Sequence, residues 1–233
     1  MISVIIPVYN QAKELLETLK SIISQSYQDL EVIIVNDGSS DGVETIFQNF
    51  IIKQESNLSF YFFNNHKNLG APTARNKGFS KSSGDYIFFC DADAVIKPKA
   101  LEIMLETLEN EPEISYVYSS FKWGRKLFKV GEFSESKLKK EPYIHTMSLI
   151  KRSDFPKVGW DEKIKKFQDW DLFLTMLEQG KQGFWIDKVF FKVKPGGTIS
   201  YWLPSFAYKY LPFLKAVKDY KAAKEIIKVK HSL

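Results

Sequence analysis

Two aspartates separated by one residue, Asp91 and Asp93, have the side chains and the spacing to bind a metal ion. Asp91 and Asp93 directly follow the apolar run at residues 86–90, so both lie at the end of a predicted strand. Side chains two residues apart on an extended backbone point the same way, which lets both carboxylates reach one cation. Mg²⁺ and Mn²⁺ use few protein carboxylates and complete their shell with water or phosphate oxygens. The Asp91-Ala92-Asp93 segment therefore predicts a divalent-metal site, with a simple loop cap as the alternative.

A third aspartate occupies a similar place in the chain. Asp37 follows the apolar run at residues 32–35 and precedes Gly38, Ser39 and Ser40, which suit a tight turn and a helix cap. Its carboxylate can accept hydrogen bonds from a nucleoside base or a ribose. Alternatively, this segment only caps the next helix, and the sequence leaves both interpretations open.

The elements that must position these aspartates alternate between strands and helices. Apolar runs at residues 3–8, 32–35, 60–63 and 86–90 are typical of strands buried on both faces, and helically spaced apolar residues lie between them. Such alternation predicts a mostly parallel sheet, which binds ligands outside the carboxyl ends of its strands. The polar clusters that follow these strands should therefore converge on one crevice.

The second part of the chain has a less regular pattern. We predict helices over residues 101–108 and 169–178 and strands over residues 116–121 and 185–193. Residues 122–142 are basic and irregular, which predicts a mobile insertion.

Composition narrows the class of protein. The chain has 233 residues, 44% of them apolar and 26% charged, which is typical of a globular protein with a substantial core. Cys90 is the only cysteine and the three histidines are scattered, which excludes an internal disulfide and a Cys/His zinc site. No apolar stretch reaches the roughly 18 residues of a membrane span, so we expect a cytoplasmic location.

Positive charge is concentrated at the C-terminal end. Residues 201–233 hold seven lysines against Asp219 and Glu225, which accounts for the whole net charge of +5. This distribution argues against a protein-wide nucleic-acid surface. Apolar residues from Trp202 to Val217 fall near one helical face between the lysines, so residues 202–230 are predicted to form an amphipathic tail. The tail either packs on the rest of the protein or makes a peripheral contact with an anionic membrane on its inner face.

Four motifs, in order, resemble the family 2 glycosyltransferases of the GT-A fold, from Ser3 through about Gly180. They lie at residues 4–10, 35–41, 68–78 and 84–93. The resemblance implies an α/β protein with a GT-A type mostly parallel twisted sheet flanked by helices, and a C-terminal amphipathic helical tail. It also implies a catalytic domain over residues 1–200, with a nucleotide-sugar half to about residue 121, an acceptor half over 122–200, and the tail over 201–233.

The resemblance implies a metal-dependent enzyme that takes a sugar from a nucleotide-sugar donor, most commonly a UDP-sugar. Its cofactor would be Mn²⁺ or Mg²⁺, with Asp93 as the direct ligand and Asp91 near the ribose and the metal. Arg75 would lie close to the donor, or serve as the salt-bridge partner of an acid. The implied donor site consists of Pro7, Tyr9, Asp37, Arg75, Asp91, Ala92 and Asp93.

A fifth match, at residues 167–172, resembles the family's acidic pair at the start of a helix, in which the second acid is the general base. The match implies that Asp169 is the base of an inverting transfer. Gln168 replaces the first acid, and Thr175 stands where the family often has an arginine. Three interpretations remain open: Asp169 acts without an acidic neighbour, the base is instead Asp171, or Asp169 only caps the helix.

The family's processive polysaccharide synthases carry a Gln-x-x-Arg-Trp motif that is missing here, so we expect a single sugar to be moved to a glycan or lipid-linked acceptor. A non-catalytic nucleotide-sugar binding domain is the alternative. A nicotinamide oxidoreductase and a P-loop enzyme are disfavoured because neither glycine-rich phosphate-binding motif is present. Trp160, Trp170 and Trp185 either stack on sugar rings or pack in the core.

Overall fold

The computed structural model describes residues 1–195, 211 and 213–233. Its strands are β1 (Ile2–Val8), β2 (Leu30–Asn36), β3 (Ser59–Asn64), β4 (Tyr86–Phe89), β5 (Ala94–Ile96), β6 (Tyr116–Trp123), β7 (Lys126–Phe128), β8 (Leu149–Lys151) and β9 (Gly183–Val193). Its helices are α1 (Ala12–Ile23), α2 (Val43–Ile52), α3 (Ala71–Ser80), α4 (Ala100–Asn110), α5 (Glu135–Lys140), α6 (Gln168–Glu178) and α7 (Lys215–Lys230).

The first half of the chain forms the parallel part of the sheet. Strands β3, β2, β1 and β4 lie side by side in that order, and each pair among them is parallel. Pro7 pairs with Val35 and Val8 pairs with Asn36, so β1 and β2 end at the same level. The predicted α/β fold is confirmed, and the strand ends that carry the polar clusters are neighbours.

The second half of the chain adds a mixed extension to this sheet. Strand β8 is antiparallel to both β4 and β6, β9 is parallel to β6, and the short strand β5 is antiparallel to β9. Alternation of helices and strands in the sequence did not reveal these antiparallel pairings. They matter because they bring the second half of the chain against the end of β4.

Both faces of the sheet are covered by apolar packing. Side chains alternate along β1, so Val4 and Ile6 face one core while Ile5 faces the other. Helices α1, α2 and α4 pack in the first core, and α6 contributes Trp170 and Phe173 to the second. Burial on both faces explains why β1 and β2 have continuous apolar sequences.

The prediction of an irregular insertion over residues 122–142 is wrong. Strand β7 pairs with the end of β6 in a short hairpin, and helix α5 begins after Ser134, whose hydroxyl accepts the Lys137 N–H. Leu138 of α5 is buried, and its carbonyl accepts the indole N–H of Trp170 at 2.5 Å. A three-residue strand and a six-residue helix are too short to show a period in the sequence, so tertiary contacts stabilise them.

The C-terminal helix α7 packs on the rest of the protein, next to α6. Val217 and Ile227 are completely buried, and the Tyr220 ring contacts the Phe167 ring at 5.0 Å. Just beyond the helix, the His231 ring lies between Asp171 and Glu178 of α6, with N···O distances of 2.9 and 2.7 Å. The predicted tail over residues 202–230 is thus helical and docked in its second part, and most of its first part lies outside the described residues. No helix in the described part of the chain is long and apolar enough to cross a membrane.

We expect a His231→Gln variant to be less stable, with a pH dependence that identifies the lost charge. The carboxylates of Asp171 and Glu178 raise the pKa of His231 above its ordinary 6.5, against the opposing effect of burial, which is the largest single influence. The imidazolium therefore stabilises the fold below pH 6.5, and this contribution is lost as the pH rises through the raised pKa. Urea unfolding should show a deficit of about 1–3 kcal/mol at pH 6 that narrows toward pH 9.

The matched control for this variant is His66→Gln, because His66 is exposed on the loop after β3. It should unfold like the wild type at both pH values. A deficit in His231→Gln that is equally large at pH 6 and pH 9 would show that the ring contributes packing and not charge.

Candidate active site

The carboxyl ends of β2, β1 and β4 open into one cavity of about 650 Å³. Residues from the second half of the chain, including His145, Gln168 and Asp169, close its other side. All eight residues predicted for the site line this cavity: Pro7, Tyr9, Asp37, Arg75, Asp91, Ala92, Asp93 and Asp169. The structure therefore brings together side chains that are as far as 162 positions apart in the chain.

The Asp91-Ala92-Asp93 segment is held rigidly by the surrounding elements. The Ala92 carbonyl accepts the Thr18 hydroxyl at 2.7 Å, and the Asp93 carbonyl accepts the Lys194 N–H at 3.1 Å. Asp93 is buried, and its burial, followed by the charge of Asp91, raises its pKa to about 6. Two carboxylates that repel each other in a partly buried place fit a bound cation, which would relieve the repulsion. Among the described residues, no three His, Cys, Asp or Glu side chains form a complete metal cage.

Arg75 connects the Asp91-Ala92-Asp93 segment to helix α6. Its guanidinium lies 3.3 Å from Asp91 Oδ1, donates to Gln168 Oε1 at 2.9 Å and stacks 4.6 Å from the centre of the Trp160 ring. The salt-bridge role weighed for Arg75 is therefore present, at the wall of the cavity. Gln168 occupies the place of an acid in the resembling family and here accepts from Arg75 without adding negative charge.

Asp37 lies at the base of the loop that leads into α3. Its carboxylate accepts N–H groups from Asn65, Leu69 and Gly70, at 2.8, 3.0 and 2.7 Å. Gly38 makes this approach possible: its φ is +74°, and a Cβ there would come within 2.5 Å of the Lys67 carbonyl carbon. The Leu69 N–H also lies 3.2 Å from the second oxygen, so the three donors make four contacts, two on each oxygen, which matches the roughly four acceptor positions of a carboxylate. Asp37 therefore orders the loop before α3, a role different from the cap of α2 that its neighbours suggested.

Asp169 and Asp171 lie in the first turn of α6 but have different surroundings. Asp169 lines the cavity, where burial raises its pKa while the hydrogen bond from the Trp170 N–H and the charge of Arg75 oppose that rise. Asp171 is buried on another side of the helix, within 2.7 Å of the Lys230 ammonium and 2.9 Å of the His231 ring. Because Asp171 is committed to anchoring α7, the geometry favours Asp169 as the acid that faces a ligand.

The residue before α6 adopts an unusual backbone conformation. Phe167 has φ of +60° and ψ of +34°, a left-handed conformation that a bulky residue rarely adopts. Its ring packs edge-on against Trp170 at 5.9 Å and against Tyr220 of α7 at 5.0 Å. These contacts hold the strained turn that directs Gln168 and Asp169 toward the cavity.

The sequence identified neither His145 nor the aromatic wall of the cavity. His145 was considered only as a zinc ligand, and its position beside Asp91 depends on the antiparallel pairing of β8. Phe121, Trp123 and Phe128 line the cavity from the β6–β7 hairpin, inside or next to the region predicted to be irregular. No local sequence signal distinguishes these residues from core aromatics.

The three tryptophans considered for sugar stacking lie elsewhere. Trp160 and Trp170 are buried in the core, which confirms the packing alternative for both. The Trp185 indole lies 3.4 Å from the Ser120 hydroxyl and is not among the residues that line the cavity. The aromatic surface of the cavity therefore comes from Phe121, Trp123 and Phe128 and not from these three tryptophans.

Comparison with known proteins agrees with this geometry. The sequence model of a family described as "Glycosyl transferase family 2" matches residues 3–159, a region that includes the strand ends and the Asp91-Ala92-Asp93 segment. An uncharacterized glycosyltransferase of Methanocaldococcus jannaschii is 30% identical over 190 residues, which cover 76% of this chain and 64% of that protein.

Two solved structures resemble the fold closely. TarS residues 1–349 of Staphylococcus aureus in complex with UDP-GlcNAc superposes with a TM-score of 0.74 and 19% identity over 91% of this chain and 64% of that chain. The mannosyltransferase PcManGT of Pyrobaculum calidifontis, in complex with GDP-Man and Mn²⁺, gives a TM-score of 0.71 and 22% identity over 85% of this chain and 58% of that chain. These likenesses show a shared GT-A fold. The chain spans less than two thirds of the length of each of these three proteins.

Proposed function

This chain belongs to glycosyl transferase family 2, and from that premise we propose that it transfers a single sugar from a nucleotide-sugar donor, with inversion, to a glycan or lipid-linked acceptor. One observation carries the proposal: the carboxylates of Asp91 and Asp93 and that of Asp169 line one cavity from opposite halves of the chain. An inverting transfer needs two separate acidic groups. One pair of carboxylates would hold a metal ion that neutralises the departing diphosphate, and another carboxylate would take the proton of the attacking hydroxyl.

We propose that the nucleoside lies against Pro7, Tyr9 and Asp37. Asp37 lines the cavity, where its carboxylate could accept the imide N–H of uracil by sharing an oxygen with the loop donors, and thymine presents the same edge. The structural relatives include proteins whose complexes contain UDP-GlcNAc and GDP-Man, so the fold accommodates more than one base. UDP is the nucleotide that we propose for this chain.

The metal site fits a divalent cation held by Asp93 directly and by Asp91 at its edge. Asp91 forms an ion pair with Arg75 at 3.3 Å, whereas the Asp93 carboxylate is hydrogen-bonded by Gln11 and has no ion pair among the described residues, so its charge is the less compensated of the two. A bound Mn²⁺ or Mg²⁺ would supply positive charge for the diphosphate, whose oxygens would complete its shell. A relative bound to Mn²⁺ supports the choice of ion.

We propose that Asp169 removes the proton from the acceptor hydroxyl. As this proton moves to Asp169, the hydroxyl oxygen forms a bond to the anomeric carbon of the sugar from the face opposite the diphosphate. The bond between that carbon and the diphosphate oxygen breaks, and its electron pair leaves with the nucleotide. The pKa of Asp169 is raised by burial, which makes its carboxylate a stronger base than an exposed aspartate.

The division into a nucleotide-sugar half over residues 1–121 and an acceptor half over 122–200 remains a proposal. It is supported by the cavity, because the base-side residues Pro7, Tyr9 and Asp37 come from the first half and Asp169 comes from the second. A non-catalytic binding domain would keep the first group of residues and need no working base.

Calorimetric titration with UDP, dTDP and GDP, each with and without Mn²⁺, tests the proposal directly. We expect one of the three to bind and its affinity to depend on the metal. The sugar conjugates of that nucleotide can then be screened for transfer, with the anomeric configuration of the product read by NMR. Failure of all three nucleotides to bind with Mn²⁺ present would end the glycosyltransferase proposal for this chain.

We also propose that α7 contacts an anionic membrane surface through the face that does not pack on the domain. Ile226 and Val229 are 57% and 74% exposed on this face, and Lys215, Lys218 and Lys221 are exposed on the same helix. Apolar side chains among lysines suit a peripheral contact with anionic lipids.

Co-sedimentation with phosphatidylserine vesicles at low salt should show this contact. An Ile226→Asp, Val229→Asp double variant should stay in the supernatant, because it places negative charge on the exposed face without disturbing the buried Val217 and Ile227. Neutral phosphatidylcholine vesicles are the control. A wild-type protein that fails to pellet with phosphatidylserine would remove the membrane proposal.

A further inference from the structure

His145 lies in the cavity beside Asp91, although 54 positions separate the two residues in the chain. Strand β8 is antiparallel to β4, with Phe88 opposite Leu149. Continuing this register past the end of the ladder brings residues 145 and 146 opposite residues 92 and 91. The position of His145 is thus a consequence of strand pairing, and the same pairing would be present in the folded protein without a ligand.

The orientation of the His145 ring is determined by its surroundings. Its Nδ1 accepts the N–H of Met147 at 3.1 Å, and its own carbonyl accepts the Ser148 hydroxyl at 2.8 Å. The ring lies 4.7 Å from the ring of Phe121 and 5.2 Å from that of Phe191. The hydrogen bond to Nδ1 and the two aromatic contacts restrict rotation of the ring, and the bond to the carbonyl holds its backbone.

This orientation decides which nitrogen carries the ring hydrogen. A backbone N–H can only donate, so the lone pair of Nδ1 is used by Met147 and the hydrogen must be on Nε2. Nε2 lies 3.7 Å from Asp91 Oδ2, which is too far for a good hydrogen bond. Among the described residues, the Nε2–H group has no acceptor within hydrogen-bonding reach, and it belongs to a side chain that lines the reaction cavity.

We propose that His145 is a donor-binding residue whose Nε2–H group donates a hydrogen bond to the terminal phosphate of the nucleotide diphosphate. This inference rests on the proposed function, because it assigns a ligand atom within the same cavity. No proton is transferred: the N–H group stabilises the negative charge that accumulates on the diphosphate oxygen as its bond to the sugar breaks.

The charges of the cavity support a phosphate oxygen as the acceptor. Asp37, Asp91, Asp93 and Asp169 already place four carboxylates on its walls, and a diphosphate brings further negative charge. Arg75 donates one N–H group to Asp91 and one to Gln168, and Lys165 and Lys166 also line the cavity. Arg75 lies beside Asp91 Oδ1, whereas His145 places a fixed N–H donor beside Oδ2.

The same geometry argues against two other roles for His145. A metal ligand needs a free lone pair, and the bond from Met147 leaves none on a ring whose Nε2 carries hydrogen. A purely structural role would leave the Nε2–H group irrelevant, since the contacts that hold the ring involve Nδ1 and the ring faces. A structural role and the proposed role differ in their effect on UDP affinity when the N–H group is removed and the ring is kept.

The test compares two substitutions at this position in calorimetric titrations with UDP and with UMP, in the presence of Mn²⁺. His145→Phe keeps the ring between Phe121 and Phe191 and removes the donor. His145→Gln keeps an N–H donor on a side chain of similar reach. We expect His145→Phe to bind UDP about 10-fold or more weakly than the wild type, with UMP affinity unchanged, because UMP lacks the terminal phosphate. His145→Gln should recover part of the loss.

Binding of UDP by the wild type reports on the proposed function, and the variants report on His145. If GDP is the nucleotide that the wild type selects, GDP and GMP replace UDP and UMP. Unchanged UDP affinity in His145→Phe would overturn the inference while leaving the proposed function intact. An equal loss for UDP and UMP, or a His145→Gln variant as weak as His145→Phe, would overturn it as well, since either result indicates a packing role.

Discussion

An Asp169→Asn variant should bind the nucleotide like the wild type and lose sugar transfer by about 10²- to 10⁴-fold, the range expected for removal of a general base. Asparagine keeps the size of the side chain and can still accept the Trp170 N–H that Asp169 accepts at 2.9 Å. It cannot take a proton from an acceptor hydroxyl. The measurement is steady-state transfer, together with calorimetric titration of the nucleotide on the same sample.

Asp171→Asn is the matched control, because it makes the same change two positions along the same helix. Asp171 contacts Lys230 and His231, so this variant should lose about 1–3 kcal/mol of stability and retain transfer at temperatures where it is folded. The opposite result, with Asp171→Asn inactive and Asp169→Asn active, would assign the base to Asp171. Unchanged transfer in both variants would favour the non-catalytic binding domain.

An Asp93→Asn variant should lose the metal dependence of nucleotide binding. A carboxylate bound to a divalent ion contributes several kcal/mol, so the affinity for the nucleotide with Mn²⁺ should fall roughly 100-fold or more. The thermal midpoint should stay the same or rise, because burial and the charge of Asp91 raise the Asp93 pKa to about 6 and make its charged form costly at neutral pH. Weaker nucleotide binding by Asp93→Asn, without loss of thermal stability, would indicate that Asp93 is a metal ligand and not an acid needed for folding.

Asp187→Asn provides the control for this variant. The Asp187 side chain is 67% exposed, and its carboxylate lies 3.9 Å from the Lys129 ammonium. Such a long ion pair at the surface contributes little to stability. The Asp187→Asn variant should bind nucleotide and metal like the wild type. Nucleotide binding by Asp93→Asn that keeps its full dependence on Mn²⁺ would contradict the metal assignment.

The predicted site residues come together because their positions follow from local rules. Asp37 directly follows β2, and Asp91 and Asp93 lie in the short connection between β4 and β5, a turn and not the extended backbone predicted for them. All three lie beyond the carboxyl ends of parallel strands, which share one edge. The continuous apolar runs of β1, β2 and β4 revealed those strands, because burial on both faces excludes polar residues. Asp169 was found in another way, through the resemblance of residues 167–172 to a family motif.

Residues that depend on pairing between distant segments were missed or left ambiguous. His145 reaches Asp91 only because β8 is antiparallel to β4, and nothing in residues 145–151 indicates that pairing. The sequence implies Asp169 as the base but leaves Asp171 as an alternative, since both lie in the first turn of α6. The structure distinguishes them because Lys230 and His231, near the C-terminal end of the chain, contact Asp171.

The sequence by itself determined the alternating α/β order and the edge of the sheet where ligands should bind, and it predicts that Asp91 and Asp93 hold a metal there. Hydrophobic periodicity and position at a strand end depend only on neighbouring residues, so each segment of the sequence reveals them without knowledge of the rest of the chain. Only the tertiary structure decided which way Asp169 and Asp171 face, where α7 docks and which hydrogen His145 presents to the cavity. The orientation of Asp171, the docking of α7 and the approach of His145 to Asp91 arise from contacts between residues more than 50 positions apart, whose free energies depend on the whole fold. The hydrogen on His145 follows from a local bond with Met147 once the ring is in place.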